Sequence, residues 1–164
     1  MPADTSAWAP VTQRLASQFA MNCAVPAGRS ALGLLAVLQE RRGARNSLRV
    51  ALPGAVCHEV LLAVLAAGCE PHFCDVSPVD GLVTPQQWQQ AREAGAEVAI
   101  LVHLYGNPAD ARAVRRWFPA PECLLIDDAA QALGSQWQGV NCGAGGDVGL
   151  LSFGQAKQIS LGNA

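Results

Sequence analysis

Aromatic and charged residues are both scarce in this 164-residue chain, at 5% and 15% of the sequence. The formal net charge is -2, so there is no basic surplus that would bind nucleic acid or an anionic membrane surface. Glycine, proline or charge interrupts every apolar run well before the roughly 20 residues that a membrane helix needs. The sequence therefore predicts a globular chain that binds neither nucleic acid nor a membrane.

The sequence also shows no metal-binding or disulfide pattern, and its N-terminal residues do not have the pattern of a signal peptide. None of the six cysteines stands in a C-x-x-C pair, and no metal-ligand spacing joins the three histidines. We expect free, buried thiols and no metal site; the cysteines are Cys23, Cys57, Cys69, Cys74, Cys123 and Cys142. Because no basic stretch leads into an apolar core at the N-terminus, we expect a cytoplasmic protein, in which reduced thiols are normal.

What the sequence does have is a regular alternation of apolar strands with helices. Strands are predicted at 48–52, 71–76, 98–104, 123–126 and 148–153, and helices at 11–21, 28–42, 58–67, 84–94 and 110–118. In the helix at 84–94, Thr84 is the expected N-cap and Pro85 the first helical residue. A glycine-rich loop is expected at 139–146.

This alternation predicts the fold class. Strands that are apolar on both faces and alternate with helices form a mostly parallel sheet that is covered on both sides, an α/β three-layer sandwich. We divide the chain into a loose arm (1–10) and helix within residues 1–27, and one large domain over residues 28–164. In such sheets the functional residues gather at the carboxyl ends of the strands.

Lys157 follows the strand at 148–153 and has no acidic neighbour in the sequence. An amine that is partly desolvated at a strand end loses proton affinity and becomes a nucleophile toward an aldehyde. The alternative is an ordinary surface lysine in a loop. Its position alone does not decide between the two.

Asp127 and Asp128 end another strand and are followed by the small residues Ala129 and Ala130. Paired acids at a strand end can cap the next helix or bind a metal. A buried carboxylate there could instead hold the protonated nitrogen of a pyridine ring, for which the two alanines would leave room.

Gly28-Arg29-Ser30 opens a helix, where free backbone N–H groups and the helix dipole favour an anion such as phosphate. Simple capping is the alternative. Ser152 could likewise hydrogen-bond a phosphate oxygen or merely end its strand. Of the histidines, His72 is expected to be structural, and His103 lies near the site, where it could hold loops together.

Taken in order, these segments resemble the DegT/DnrJ/EryC1/StrS family of type I pyridoxal-phosphate (PLP) enzymes, the aminotransferases that act on sugar nucleotides. The resemblance lies in the segments 28–32, 52–53, 67–76, 102–106, 126–134 and 146–157. The most specific part is Asp127-Asp128-Ala129-Ala130-Gln131 followed by Gly146-Asp147-Val148-Gly149 and Lys157.

The resemblance implies a role for each matching residue. Lys157 corresponds to the lysine that forms the aldimine and moves the proton during transamination, and Asp128 to the aspartate that faces the pyridine nitrogen. Gln131 corresponds to a residue beside the cofactor ring, and Arg29, Ser30 and Ser152 to residues that contact the phosphate. The aromatic residue that usually stacks on the ring is absent, so His58 is the candidate for that position. Arg29 replaces a small hydroxyl residue and either adds a phosphate contact or points outward.

The implied function is a PLP-dependent aminotransferase that moves an amino group from an amino acid such as glutamate to a nucleotide-linked keto sugar, as a homodimer in the full-length form. Family members continue into a closing strand and a second domain, so we expect the C-terminal part of the large domain to be missing here. Two alternatives stay open: a PLP-dependent deoxysugar dehydratase, which the retained Lys157 argues against, and a non-catalytic or split-gene fragment that binds PLP or a partner chain.

Overall fold

The computed structural model describes residues 8–155 and 157–160. The helices are α1 (Ala9–Gln18), α2 (Ser30–Arg42), α3 (His58–Ala66), α4 (Pro85–Glu93) and α5 (Ala111–Arg115). The strands are β1 (Arg49–Pro53), β2 (Glu70–Cys74), β3 (Val98–Val102), β4 (Leu124–Asp128), β5 (Gln136–Trp137), β6 (Val140–Asn141) and β7 (Val148–Leu150).

Five of these strands form one parallel sheet in the order β2-β1-β3-β4-β7. All five carboxyl ends therefore lie at the same edge of the sheet. The chain reverses its direction of travel across the sheet between β2 and β3, which lie on opposite sides of β1. The predicted α/β class with a parallel sheet is confirmed.

Apolar side chains fill both faces of the sheet. On one face, Ile100 and Ile126 pack in a cluster with Leu34 and Leu38 of α2 and Val64 of α3. A second cluster covers the other face together with α4 and α5. Its members include Ala51, Cys74, Trp88, Ala91, Ala99, Leu101, Val114, Phe118 and Leu125. The rings of Trp88 and Phe118 meet edge to face at 6.1 Å. β3, in the middle of the sheet, is buried at every position.

β2 lies at the edge of the sheet and carries Pro71. Proline has no N–H to donate to a neighbouring strand, so it fits an edge position without the loss of a ladder hydrogen bond. Arg49 of β1 and Glu70 of β2 form an ion pair of 2.8 Å at the start of this edge.

Three predicted strands extended too far at their carboxyl ends. β3 ends at Val102 because its partner β4 ends at Asp128. β7 ends at Leu150 for the same reason, so the predicted strand at 148–153 was wrong beyond that residue. β2 stops at Cys74, opposite the last residue of β1. A strand without a partner has no ladder to continue, and apolar residues alone do not reveal where the partner stops.

The β5–β6 hairpin falls where the sequence predicted only a glycine-rich loop from 139 onward. The two residues that turn it, Gln138 and Gly139, have φ angles of 47° and 79°. Two positive φ values identify the primed turn that closes a two-residue hairpin. Glycine is suited to such an angle, but glutamine rarely adopts it. Of the two turn residues, only Gly139 is therefore of a type that predicts this turn from the sequence.

Other expectations met mixed outcomes. Thr84 caps α4 as predicted, since its Oγ1 accepts from the Gln87 amide at 3.4 Å. The six cysteines are free, but Cys23 and Cys57 are exposed, so the prediction of burial was wrong for these two.

Residues 1–7 of the predicted arm lie outside the described residues, and its last two residues already belong to α1. No helix in the described part of the chain is both long and apolar enough to cross a bilayer.

Candidate functional site

The carboxyl edge of the sheet carries most of the residues that the sequence singled out. Asp128 is the last residue of β4, and Lys157 follows β7, the next strand in the sheet. His58 begins α3 directly after β1, and Ser30 begins α2, which runs from this edge toward the start of β1. The parallel order of the strands thus brings segments far apart in the sequence to one edge.

Asp128 is a nearly buried carboxyl group, with 6% of its surface exposed. It lies on the same face of the sheet as Ile126, and its Oδ1 accepts a hydrogen bond of 2.9 Å from the Ala130 amide. Burial raises the pKa of Asp128, while the Ala130 amide and the positive charge of Lys157 partly oppose that rise. Lys157 is therefore close enough to act electrostatically on the buried acid.

Lys157 is half-buried, and its backbone amide donates to the Gly154 carbonyl oxygen at 3.3 Å. The adjacent residue, Gln158, fixes this segment to the loop after β4, since its Nε2 donates to the Gln131 carbonyl oxygen at 2.5 Å. Ser152 is also half-buried and follows the end of β7 rather than lying within a strand.

Gln131 joins three loops at this edge. Its side-chain Oε1 accepts from the Tyr105 amide at 2.8 Å, and its carbonyl oxygen accepts from Gln158. The loop after β3 and the segment that contains Lys157 are therefore both held to the loop after β4. Tyr105 adopts a φ of 55°, an uncommon angle for a tyrosine, and its side chain is 88% exposed.

The N-termini of α2 and α3 lie side by side. Arg29, the N-cap of α2, forms an ion pair of 2.7 Å with Glu59 in the first turn of α3. The N-cap residue of α2 makes no side-chain capping hydrogen bond, so the amides of the first turn can bind an anion. His58 is exposed at the start of α3. In this structure the guanidinium of Arg29 contacts a carboxylate, and 69% of its side chain is exposed.

His103 and Asp127 form a buried pair on the opposite face of the sheet from the Asp128 carboxyl group. Each is 1% exposed, and His103 Nε2 lies 2.5 Å from Asp127 Oδ1. The Ala109 amide donates to His103 Nδ1 at 2.8 Å, and the Gly145 amide donates to Asp127 Oδ2 at 2.7 Å. The sequence placed His103 near the site as a residue that holds loops together, but it missed that Asp127 is the partner.

The protonation of this pair follows from its hydrogen bonds. Burial lowers the pKa of His103, but its contacts with Asp127 and Cys142 outweigh this and raise the pKa to about 9, which by itself favours the charged ring. The Ala109 amide decides against that charge, because a protonated Nδ1 could not accept its hydrogen bond. The ring is therefore neutral and carries its proton on Nε2, which donates to Asp127.

The glycine-rich loop before β7 packs tightly against Asp127. A Cβ on Gly145 would lie 2.5 Å from the Ala111 Cβ and 3.1 Å from Asp127 Oδ2. A Cβ on Gly146 would lie 2.6 Å from the Leu125 carbonyl oxygen. The absence of a side chain at both positions lets the loop approach β4 closely enough for the Gly145 amide to reach Asp127.

A cavity of about 250 Å³ lies on the same face as the His103–Asp127 pair, and Trp137, Asn141 and Cys142 also line it. The sheet separates it from the side chain of Asp128. Within residues 8–155 and 157–160, no group of three or more His, Cys, Asp or Glu side chains could hold a metal ion.

At the carboxyl edge the described residues thus combine an amine, a buried carboxyl group and a helix N-terminus without a side-chain cap. The amine can form a bond to a carbonyl carbon, the carboxyl group can bind a cation, and the helix N-terminus can bind an anion. A ligand that carries an aldehyde, a basic ring nitrogen and a phosphate matches these three groups.

Comparison with known proteins identifies relatives of this chain. The matching family model is that of the DegT/DnrJ/EryC1/StrS aminotransferase family, over residues 15–164. The L-glutamine:2-deoxy-scyllo-inosose aminotransferase of Streptomyces fradiae is 30% identical over 138 residues, which are 84% of this chain and 32% of that protein. The dTDP-4-dehydro-2,3,6-trideoxy-D-glucose 4-aminotransferase of Saccharopolyspora spinosa is 29% identical over 114 residues, 70% of this chain and 30% of that protein.

Solved structures share the fold. An aminotransferase from Psychrobacter cryohalolentis superposes with a TM-score of 0.83 at 25% identity, over 93% of this chain and 38% of that one. The E. coli GDP-4-keto-6-deoxy-D-mannose-3-dehydratase, solved with bound hydrated PLP, superposes with a TM-score of 0.80 at 15% identity, over 93% of this chain and 40% of that one. The chain thus spans about a third of the curated relatives and about two fifths of the solved chains.

Proposed function

The chain belongs to the DegT/DnrJ/EryC1/StrS aminotransferase family, and from that membership we propose that it forms the PLP-binding part of an aminotransferase. The reaction would transfer an amino group from an amino acid such as glutamate to a nucleotide-linked keto sugar. The single observation that carries the proposal is the position of Lys157 after β7, the strand that pairs with β4, which ends in the nearly buried Asp128.

The residues at this edge fit the cofactor. Burial raises the pKa of Asp128, so the groups around this carboxylate in the folded chain do not fully compensate its loss of water. A further positive group beside it would stabilise its charged form. A protonated pyridine nitrogen would be such a group. Bound PLP would supply the electron sink and would carry the amino group between donor and acceptor.

Each residue has a task in this proposal. Lys157 would hold the aldehyde carbon of the cofactor and then, as a free amine, move the proton between the α carbon of the donor and C4′ of the cofactor. Asp128 would keep the ring nitrogen protonated. Gln131 would lie beside the ring and His58 would stack on it.

The phosphate would be bound where α2 begins. The backbone amides of the first turn of α2, including Ser30, provide donors, and the helix dipole favours the negative charge. Ser152 would add a hydroxyl donor from the segment after β7. Arg29 would have to exchange its ion pair with Glu59 for a phosphate contact, so we assign its backbone and not its side chain to the anion.

The substrate proposal rests on the relatives. The Saccharopolyspora spinosa protein is named as an aminotransferase of a dTDP-linked dehydro sugar, and the Streptomyces fradiae protein as one that uses glutamine. We extend the sugar-nucleotide acceptor and an amino-acid donor to this chain. From the family resemblance we further propose a homodimeric full-length form, and from the free cysteines a cytoplasmic location.

Transfer of the amino group from a donor to the bound cofactor tests this function. The chain is loaded with PLP, glutamate or glutamine is added without an acceptor, and the released 2-oxo acid is measured together with the loss of the visible PLP band. We expect one equivalent of oxo acid per bound PLP and none from Lys157→Ala. Loaded protein that leaves both donors unchanged would contradict aminotransferase activity of this chain.

A dehydratase is the second candidate, because a GDP-keto-sugar dehydratase shares the fold at a TM-score of 0.80. Transamination and dehydration differ in what happens to a keto deoxysugar nucleotide that is supplied with PLP-loaded protein. Loss of water from the sugar would support the dehydratase, whereas an amino sugar formed at the expense of the donor supports the aminotransferase. Lys157 is the residue on which the two differ in the family resemblance, and this chain retains it.

A further inference from the structure

The His103–Asp127 pair is buried and fully hydrogen-bonded, yet the proposed reaction assigns it no task. Neutral His103 accepts from the Ala109 amide at 2.8 Å and donates to Asp127, while Asp127 also accepts from the Gly145 amide at 2.7 Å. His103 thus lies between the Ala109 amide and the Asp127 carboxylate, and the Asp127 carboxylate lies between His103 and the Gly145 amide.

This network connects the segments that lead to both proposed catalytic residues. The His103 amide donates to the Asp128 carbonyl oxygen at 3.2 Å, so His103 contacts Asp127 through its ring and Asp128 through its backbone. Gly145 lies in the loop that leads into β7 and on to Lys157. The pair thus ties the end of β3, the end of β4 and the loop before β7 to one another.

The close packing of the glycine-rich loop before β7 independently supports a defined position for Asp127. A Cβ on Gly145 would lie 2.5 Å from Ala111 and 3.1 Å from Asp127 Oδ2, and one on Gly149 would lie 2.0 Å from the Gly143 carbonyl oxygen. The contacts of 2.5 Å and 2.0 Å are closer than Cβ atoms approach other atoms in proteins. The loop can reach Asp127 only because Gly145 lacks a side chain, and β7 can pass close to Gly143 only because Gly149 lacks one.

We propose that His103 and Asp127 are positioning residues that act from the far face of the sheet and set the position of Asp128 relative to Lys157. The inference rests on the proposed PLP site and assigns the pair no contact with the cofactor. It explains why two adjacent acids end β4: their side chains alternate across the sheet, so Asp128 faces the proposed site and Asp127 fixes the backbone beneath it.

The hydrogen bonds predict which substitutions are tolerated. Both partners of Asp127 are donors, so Asp127→Asn places an amide N–H against a donor, although its shape is preserved. His103→Gln retains one acceptor and one donor at a similar separation, whereas His103→Leu removes both. We expect Asp127→Asn and His103→Leu to weaken PLP binding about tenfold, the effect of one lost hydrogen bond to a charged group, and His103→Gln to restore most of it.

The test compares these variants with the unsubstituted chain in PLP titrations, in the visible circular dichroism of bound PLP, and in borohydride trapping on Lys157. Visible circular dichroism reports how rigidly the cofactor is held, which a general loss of stability in a folded variant does not change. We expect Asp127→Asn and His103→Leu to retain trapping but to lose at least about half of the dichroic band, and His103→Gln to keep the band. Far-ultraviolet circular dichroism shows which variants fold. If Asp127→Asn does not fold, the comparison of His103→Leu with His103→Gln still tests the positioning role.

The outcomes separate the inference from the proposed function. Folded variants of all three kinds with unchanged PLP affinity and dichroic band would overturn the positioning role while leaving the PLP site in place. An unsubstituted chain that forms no adduct on Lys157 would overturn the proposed function, and the positioning role with it.

Discussion

At the scale of single residues, two adjacent aspartates have different environments and different tasks. Asp127 accepts hydrogen bonds from His103 and Gly145, whereas the carboxyl group of Asp128 accepts one from the Ala130 amide and lies under the influence of Lys157. The sequence predicted that Asp128 matters, through the family resemblance. It could not predict the partner of Asp127, because His103 is 24 residues away and only the pairing of β3 with β4 brings the two together.

Asp128→Asn removes the buried carboxylate and should raise the free energy of unfolding of the cofactor-free chain at neutral pH. Because burial raises the folded-state pKa of Asp128, the folded chain holds its proton to a higher pH than the unfolded chain does. The aspartate chain therefore loses stability as pH rises from about 4, the unfolded pKa, to the raised folded pKa, and each pKa unit corresponds to about 1.4 kcal/mol. Asparagine does not titrate and should not show this loss.

Thermal unfolding of both chains between about pH 4 and about pH 7 measures the effect. We expect the stability difference in favour of Asp128→Asn to grow with pH, and PLP binding by the variant to be weakened. Parallel pH dependences for the two chains would mean that the Asp128 charge costs nothing in the folded state.

At the scale of elements, the sequence predicted the order and type of the sheet strands and the helices between them, because each apolar run and each cap is a local signal. It failed where an element depends on a partner. The ends of β3 and β7 are set by the end of β4, and the β5–β6 hairpin consists of two-residue strands that are too short for alternation to show. Burial of Cys57 was predicted from its apolar neighbours, but the residue is the exposed N-cap of α3.

Gly149→Ala should disrupt β7 and the segment that leads to Lys157. The new Cβ would lie 2.0 Å from the Gly143 carbonyl oxygen, a backbone atom that cannot move aside like a flexible side chain. We expect the free energy of unfolding to fall by about 3 kcal/mol or more.

Gly33→Ala is the matched control, because Gly33 lies in helix α2 and a Cβ there would meet only the Cβ of Ala27, at 3.7 Å. We expect this change to raise the free energy of unfolding by about 0.5–1 kcal/mol. Chemical denaturation of both variants measures the two values. Equal effects of the two substitutions would contradict the close packing of the glycine loop.

At the scale of the whole molecule, the sheet is covered on both faces, but apolar side chains remain exposed around α3 and the edge strand. Leu62 and Leu65 are 57% and 50% exposed on α3, and Phe73 is 52% exposed on β2, against which α3 packs. Residues three positions apart lie side by side on a helix, so the two leucines form one apolar surface. A surface of this kind favours association with another chain.

We therefore expect the chain to self-associate at high concentration. Replacing Leu62 and Leu65 together by glutamine should shift the sedimentation velocity profile toward the monomer. Val79→Gln is the control, since Val79 is 91% exposed but lies in the turn after β2 and not on α3. A sharp monomer boundary for the unsubstituted chain at high concentration would show that the leucine surface does not mediate association.

The central claim is that Lys157 and Asp128 form one PLP site at the carboxyl edge of the sheet. The most direct measurement is borohydride reduction of the chain after addition of PLP, followed by peptide mapping of the adduct, with Lys157→Ala in parallel. The account predicts a visible PLP band, a single trapped adduct on Lys157 and none on the variant. Because Lys157 is the single lysine of the sequence, the competing amine is the N-terminal one. An adduct on the N-terminal amine in place of Lys157, or no adduct in a folded chain, would contradict it.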